Sequence, residues 1–182
     1  MIKGKRPTFT CSKGDIRAGG VLYYYFNLSN NRLEILLTQY QKGLYEDFGG
    51  KTDAGDINIQ DTISREVSEE SNNIFNRKKT NKILKRISYT YVPDSKYAVY
   101  FVELKFRIPE KKFGNVETFL NYERNVNWVD YNDIKYSKLN ARLRSKYVKK
   151  RLSYIKYQFD LTYQLFKQFK NRQIINIIKR YL

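Results

Sequence analysis

Apolar residues early in the chain come in short runs rich in β-formers, closed by turn residues. Val21-Leu22-Tyr23-Tyr24-Tyr25-Phe26 is such a run, ended by Ser29-Asn30-Asn31. Leu33-Glu34-Ile35-Leu36-Leu37-Thr38 resumes it, so the pair predicts a hairpin. Tyr45 to Phe48 predicts a third short strand running into Gly49-Gly50, while the polar segment Arg6 to Gly20 predicts a loop or short edge structure. The pattern turns helical from Asp61 to Asn72, with Asp61 as expected N-cap and Asn72-Asn73 suited to a left-handed C-terminal turn. Ile87 to Val92 and Tyr97 to Phe106 read as strands around the turn Pro93-Asp94-Ser95-Lys96, and Val126 to Val129 reads as another. After Asp133 no strand pattern survives. Val148, Leu152, Ile155, Phe159, Phe166 and Phe169 fall at helical spacing and predict two or more amphipathic helices. The expectation is one mixed α/β domain over residues 1–133 and a helical extension over 134–182, packed on or beside it.

The helix from Asp61 places its charges unusually. With about 100° of turn per residue and Ile63 at zero, Val67 lies near +40° and Ile74, if the helix persists, near +20°. On the same wheel Glu70 falls near roughly −20°, Glu66 near −60° and Glu69 near −120°. Three carboxylates within about a third of the circumference repel one another. Turning some of them toward a core adds a desolvation cost. Multivalent cations relieve both penalties, whereas an ordinary glutamate-rich helix simply faces water.

Composition narrows the chemistry. The chain of 182 residues has no histidine, which excludes Ser-His-Asp triads, Cys-His nucleophiles and ordinary zinc sites. Acid–base work falls to Asp, Glu, Lys or Tyr, and a catalytic metal is expected to be a hard cation held by oxygen. The single cysteine, Cys11, fits a reducing compartment. The basic N-terminus, Met1 to Pro7, is followed by no apolar stretch, so neither a secretory signal nor a transmembrane segment is expected, and a cytoplasmic location is. The net charge of +17 is concentrated late: residues 134–182 hold 14 Lys/Arg against one acid, Asp160. Such a field attracts polyanions.

Around the helix lies a recognisable string. Gly49-Gly50-Lys51-Thr52-Asp53-Ala54-Gly55-Asp56, followed by Ser64-Arg65-Glu66-Val67-Ser68-Glu69-Glu70-Ser71-Asn72-Asn73, resembles the Nudix box, G-x5-E-x7-R-E-U-x-E-E-x-G-U, in which U is bulky and apolar. Gly50 matches the opening glycine, and Arg65 to Glu70 match the core without exception. There are three departures. Asp56 stands for a glutamate, one extra residue separates it from Arg65, and Asn72-Asn73 replace the closing glycine and apolar residue. The resemblance implies an α/β/α sandwich with a mixed sheet, in which the box forms a loop–helix–loop, plus the basic C-terminal helical extension. Ala18-Gly19-Gly20-Val21-Leu22 looks like the family's first strand and Asn127-Trp128-Val129-Asp130 like its late one. It also implies Mg²⁺ or Mn²⁺ bound by Glu66, Glu69 and Glu70, joined by the Gly50 carbonyl. Arg65 would orient the carboxylates by pairing with an acid such as Asp56, and a water would displace a phosphorus–oxygen bond. Many relatives use one more acid from outside the box; Glu123, five positions before Trp128, is the first candidate and Glu117 the second.

The box leaves the substrate open. Lys51 is placed to touch a phosphate. Arg142, Arg144, Lys149, Lys150 and Arg151 lie close in sequence, interleaved with Tyr147 and Tyr154, a combination suited to phosphate contacts and base stacking. The leading expectation is hydrolysis of the cap of mRNA, releasing a capped nucleoside diphosphate. The abundance of Lys, Asn, Ile and Tyr suggests an A+T-rich genome, and large DNA viruses encode decapping enzymes of this kind, which would place the protein in host cytoplasm. The alternatives are a hydrolase of diphosphoinositol polyphosphates or (di)nucleoside polyphosphates, and a non-catalytic RNA-binding protein on the same scaffold.

Overall fold

The computed structural model describes the backbone of residues 5–40 and 43–181, and side chains as far as residue 172; residues 1–4 of the basic N-terminal stretch lie outside it. The chain runs β1 (Phe9–Cys11), β2 (Gly14–Ile16), β3 (Ala18–Asn27), β4 (Arg32–Tyr40), β5 (Tyr45–Glu46), β6 (Phe48–Lys51), α1 (Ile59–Glu70), α2 (Arg77–Leu84), β7 (Thr90–Val92), β8 (Tyr97–Glu103), β9 (Val116–Glu117), β10 (Tyr122–Asp130) and α3 (Lys146–Tyr181).

β3 organises the main sheet, whose strand order is β7-β8-β3-β4-β10-β9. It pairs in parallel with β8 along its length, from Ala18 beside Tyr97 to Tyr24 beside Glu103. On its other edge it changes partner: Ala18 to Val21 pair with β6, and Tyr23 to Asn27 with β4, both antiparallel. The sheet is therefore mixed. The segment expected as one strand from Tyr45 to Phe48 is broken at Asp47, so that β5 joins β4 while β6 joins β3. The hairpin of β1 and β2 is the edge structure expected before Gly20.

Side-chain alternation decides which helix covers which face. Val21 and Tyr23 of β3, Leu36 of β4 and Tyr100 of β8 point to one side, where Ile59, Ile63 and Val67 of α1 meet them. Leu22, Ile35, Leu37 and Val99 point to the other, against Val148 and Leu152 of α3. Each such buried side chain contributes about 1.5–3 kcal/mol. With both faces covered, the strands read as near-continuous apolar runs, as the sequence does. The expected α/β/α sandwich is present. α1 sits close on β3 because Gly19 has no side chain; a Cβ there would fall 2.5 Å from Ile63 Cδ1.

Several expectations are corrected. α1 starts three residues early, capped by Asn58, whose Oδ1 accepts the Asp61 N–H at 2.8 Å. It ends at Glu70, so Ile74 is exposed and Phe75 enters the core instead, stacked on Tyr23 at 3.9 Å. Asn72 and Asn73 do take left-handed backbone, at φ 50° and 62°. α2, not anticipated, buries only Thr80 and Leu84, too few positions to mark a period. The strand expected from Ile87 begins at Thr90. The tail forms one 36-residue helix rather than two or more, since no Gly or Pro interrupts it. The residues on either side of 133 pack together: Val129, Ile134, Leu139, Leu143 and Val148 share one cluster with β3 and β4. Ile155 and Phe159 continue it against Leu33.

Candidate active site

The segment from Gly49 to Asn73 is a strand end, a loop and a helix, and its polar groups satisfy one another closely. The loop from Thr52 to Asn58 is gathered by Asp56, whose Oδ2 accepts the Asp53 N–H at 2.7 Å and the Thr62 hydroxyl at 2.9 Å. Arg65 reaches it from α1: Nε donates to Asp56 Oδ1 at 3.2 Å and Nη2 to Oδ2 at 3.1 Å, a two-point contact. The same guanidinium donates through Nη1 to Glu66 Oε1 at 2.7 Å and Glu69 Oε2 at 3.2 Å, and through Nη2 to the Lys51 carbonyl at 3.1 Å. One cation thus ties the loop, the end of β6 and two glutamates. Burial is the largest influence on the Asp56 carboxyl and opposes ionisation, yet Arg65, the Asp53 N–H and Thr62 together hold it below the usual range. The shorter acid and the extra residue are accommodated in one loop.

Glu66 lies against the opening glycine. A Cβ on Gly50 would stand 2.3 Å from Glu66 Oε2, so any side chain there would displace the carboxylate. Glu70 is fixed from two sides: Oε2 accepts the Gly49 N–H at 2.7 Å, and Oε1 lies 3.1 Å from the Tyr40 hydroxyl. That hydroxyl also lies 3.2 Å from Glu117 Oε2. A phenol has one proton, so it cannot donate to both carboxylates at once. Burial foremost raises the pKa of all four glutamates: Glu66 and Glu69 with Arg65 opposing, Glu70 with the Gly49 N–H opposing, and Glu117 with Tyr40 and Arg124 opposing. Glu70 is raised furthest, and Glu66 and Asp47 add repulsion to it.

The fold is similar to that of Nudix proteins. The box occupies the loop–helix–loop that the resemblance implies, with Arg65, Glu66, Glu69, Glu70, Gly50 and Asp56 in one cluster. The sequence matches no family model and, at significance, no curated protein. Among solved structures it is similar to the C. elegans Ap4A hydrolase in a binary complex, at 15% identity and TM-score 0.47, covering 77% of this chain and 97% of that one. It is also similar to the Nudix domain of Shewanella oneidensis NrtR complexed with ADP ribose, at 12% identity and TM-score 0.49, covering 77% and 88%. A third is the Nudix hydrolase RenU from M. smegmatis, at 10% and 0.46, covering 84% and 96%.

Whether this donor set suits a divalent cation can be judged from its atoms. Among the described residues no three acids already stand in a ligating group; Arg65 Nη1 lies between Glu66 and Glu69. Yet Glu66 Oε2, Glu69 Oε1 and Glu117 Oε1 have no protein donor among those residues, all are carboxylate oxygens, and a shared phenol proton leaves surplus negative charge. Hard oxygen donors with unmet charge fit Mg²⁺ or Mn²⁺.

The remaining candidates divide. Glu123 is exposed, on the pleat face opposite buried Arg124, and lines an open cleft of about 530 Å³ with Gln39, Tyr40 and Asn115. Glu117, the second choice, is the acid joined to the cluster; it is 2% exposed. The Lys51 side chain is exposed, and its carbonyl carries the contact to Arg65. Arg144, Lys149, Lys150 and Arg151 are exposed on and before α3, the helix that covers the sheet face opposite α1. Arg142 is not part of that surface. Its Nε donates to Asp47 Oδ1 at 2.8 Å and Nη2 to Glu46 Oε2 at 2.9 Å, and it covers the Tyr97 ring at 4.7 Å. Asp47 is fully buried, so Arg142 neutralises an interior charge beside Gly49. Tyr40 was not anticipated; in a sequence with 17 tyrosines nothing distinguishes it.

Proposed function

We propose that the protein is a divalent-metal-dependent Nudix hydrolase that cleaves a phosphoanhydride bond, with the cap of RNA as its substrate. The observation that supports the activity is the convergence of Glu66, Glu69, Glu70 and Glu117 beside the Gly49-Gly50 turn, with more negative charge than Arg65 and the Tyr40 proton offset. Glu66, Glu69, Glu70 and Glu117 would hold the ion. When bound, Mg²⁺ or Mn²⁺ stabilises developing phosphate charge and acidifies the attacking water. The protein's own groups set the geometry around it. Arg65 holds Glu66 and Glu69 against the loop, Gly49 and Tyr40 fix Glu70, and Gly50 leaves room for the Glu66 carboxylate. Burial makes these carboxylates stronger bases than free glutamate, so a carboxylate of the cluster left free of the ion would take the proton of the water.

RNA as substrate is supported by the charge of residues 134–182 and by exposed Lys149, Lys150 and Arg151, the last stacked on Tyr154 at 5.2 Å. The RNA body would track α3 while its 5′ end enters the cleft beside Tyr40. A second reading, a free dinucleoside polyphosphate or inositol pyrophosphate, is favoured by one observation: the exposed basic residues lie across the sheet from the carboxylates. Incubation with cap-labelled RNA, free cap dinucleotide, dinucleoside polyphosphates and inositol pyrophosphates, with and without Mg²⁺, decides between them. Cap-labelled RNA is expected to release a capped nucleoside diphosphate only with the metal. Exclusive cleavage of the small molecules would select the second reading, and no metal-dependent cleavage of any would reject both.

A further inference from the structure

Asn72, where the box has its closing glycine, does more than turn the chain. Its left-handed backbone would be served equally by glycine, with the side chain left in water. Instead every hydrogen-bonding valence of the amide is used on one distant segment. Nδ2 donates to the carbonyls of Phe113 and Val116, both at 2.8 Å, and Oδ1 accepts from the Thr118 N–H and the Thr118 hydroxyl, both at 3.0 Å. The bonded residues bracket Glu117. From the other side Arg124 donates to the Phe113 and Gly114 carbonyls at 3.2 and 3.3 Å, and Phe113 is fully buried against Phe48 and Phe75. β9 is two residues long and, among the described residues, pairs with β10 alone, so the ladder by itself fixes it weakly.

We infer that Asn72 is a positioning residue: its side chain clamps the 113–118 segment to the C-terminal end of α1, so that Glu117 stands beside Tyr40 and Glu70 in the carboxylate cluster. The clamp connects the residue two places after Glu70 with the segment outside the box that brings Glu117 to the cluster. Replacing glycine by asparagine thus converts a helix terminator into a link between the two halves of the site. The inference rests on the metal-dependent reading above, and Asn72→Gly isolates it, because glycine retains the backbone conformation while deleting all four bonds.

The experiment is a double-mutant cycle of Asn72→Gly and Glu117→Gln, read by Mn²⁺ binding, by hydrogen exchange and by turnover. Asn72→Gly is expected to weaken Mn²⁺ binding and kcat by about tenfold, as loss of groups that orient metal ligands does. Exchange of the Thr118 amide should accelerate about tenfold. In the Glu117→Gln background, Asn72→Gly should cause no further loss of Mn²⁺ affinity. Wild-type Mn²⁺ affinity and Thr118 exchange in Asn72→Gly, or losses that multiply in the double variant, would overturn the inference. If the wild-type protein hydrolyses none of the substrates above, the hydrolase reading fails, while the Mn²⁺ and exchange arms still decide the clamp.

Discussion

The two helices that cover the sheet bury apolar stripes of much the same kind, Ile59, Ile63 and Val67 on α1 and Val148, Leu152 and Ile155 on α3, yet differ in what surrounds the stripe. On α1 the flanking charges are acidic and locked: Arg65, Gly49 and Tyr40 hold the glutamates at their positions. On α3 they are basic and exposed: Lys149, Lys150 and Arg151 have no acidic partner among the described residues. Charges that are partly buried and fixed perform chemistry at one place, because desolvation strengthens their fields. Charges that are exposed supply a diffuse attraction that salt screens. The comparison separates the proposed reaction centre from the proposed binding surface by how their charges are held.

The sharpest way to break it is on α1. Glu70→Gln should lower kcat about a thousandfold or more, since several kcal/mol of metal-borne stabilisation are lost, while RNA retention on a filter stays near wild type; full activity would defeat the assignment. Next is Arg142, which sequence position places with the basic surface and structure places in the interior. Arg142→Gln should cost about 3 kcal/mol by leaving Asp47 buried without its partner, read in urea unfolding. Arg144→Gln, exposed and two residues away, should cost under about 0.5 kcal/mol. Equal effects of the two would erase the distinction.

Smaller is the effect of neutralising Lys149, Lys150 and Arg151 together. RNA affinity should fall and the slope of log affinity against log salt should flatten by about 2, at roughly 0.7 per single-strand phosphate contact, with hydrolysis of a free cap dinucleotide unchanged. An unchanged slope would remove α3 from RNA binding. The smallest effect is a pH dependence. Glu66, Glu69, Glu70 and Glu117 have folded pKa values raised chiefly by burial. The stability they contribute is therefore fully present below the ordinary glutamate range and is lost as pH rises through the raised values. Asp56 behaves oppositely, its contribution being lost only as pH falls through its lowered value. Metal-free protein should melt at lower temperature as pH rises from weakly acidic to neutral, and Mg²⁺ or Mn²⁺ should flatten that slope; a flat profile in a chelator would show that the carboxylates carry no unmet charge.

What the chain alone determined is whatever repeats locally or lies within one turn of helix. The apolar runs gave the strands, because a strand buried on both faces needs every position. The period of Ile63 and Val67 placed α1, and the charge order from Arg65 to Glu70 marked the candidate catalytic helix together with its loop. α2 was invisible because two buried residues make no period. The tertiary structure decided everything that joins residues far apart. Glu117 rather than Glu123 reaches Tyr40, because successive side chains of a strand face opposite ways and the ladder sets which face is inside. Arg142 leaves its basic neighbours for Asp47, 95 positions earlier, because a buried carboxylate needs a partner more than a solvated surface needs one more cation. Asn72 reads in sequence as a turn residue, and only the fold brings Phe113, Val116 and Thr118 to its amide. Local pattern is written in neighbouring residues, whereas the pairing of distant polar groups depends on how the sheet folds them together.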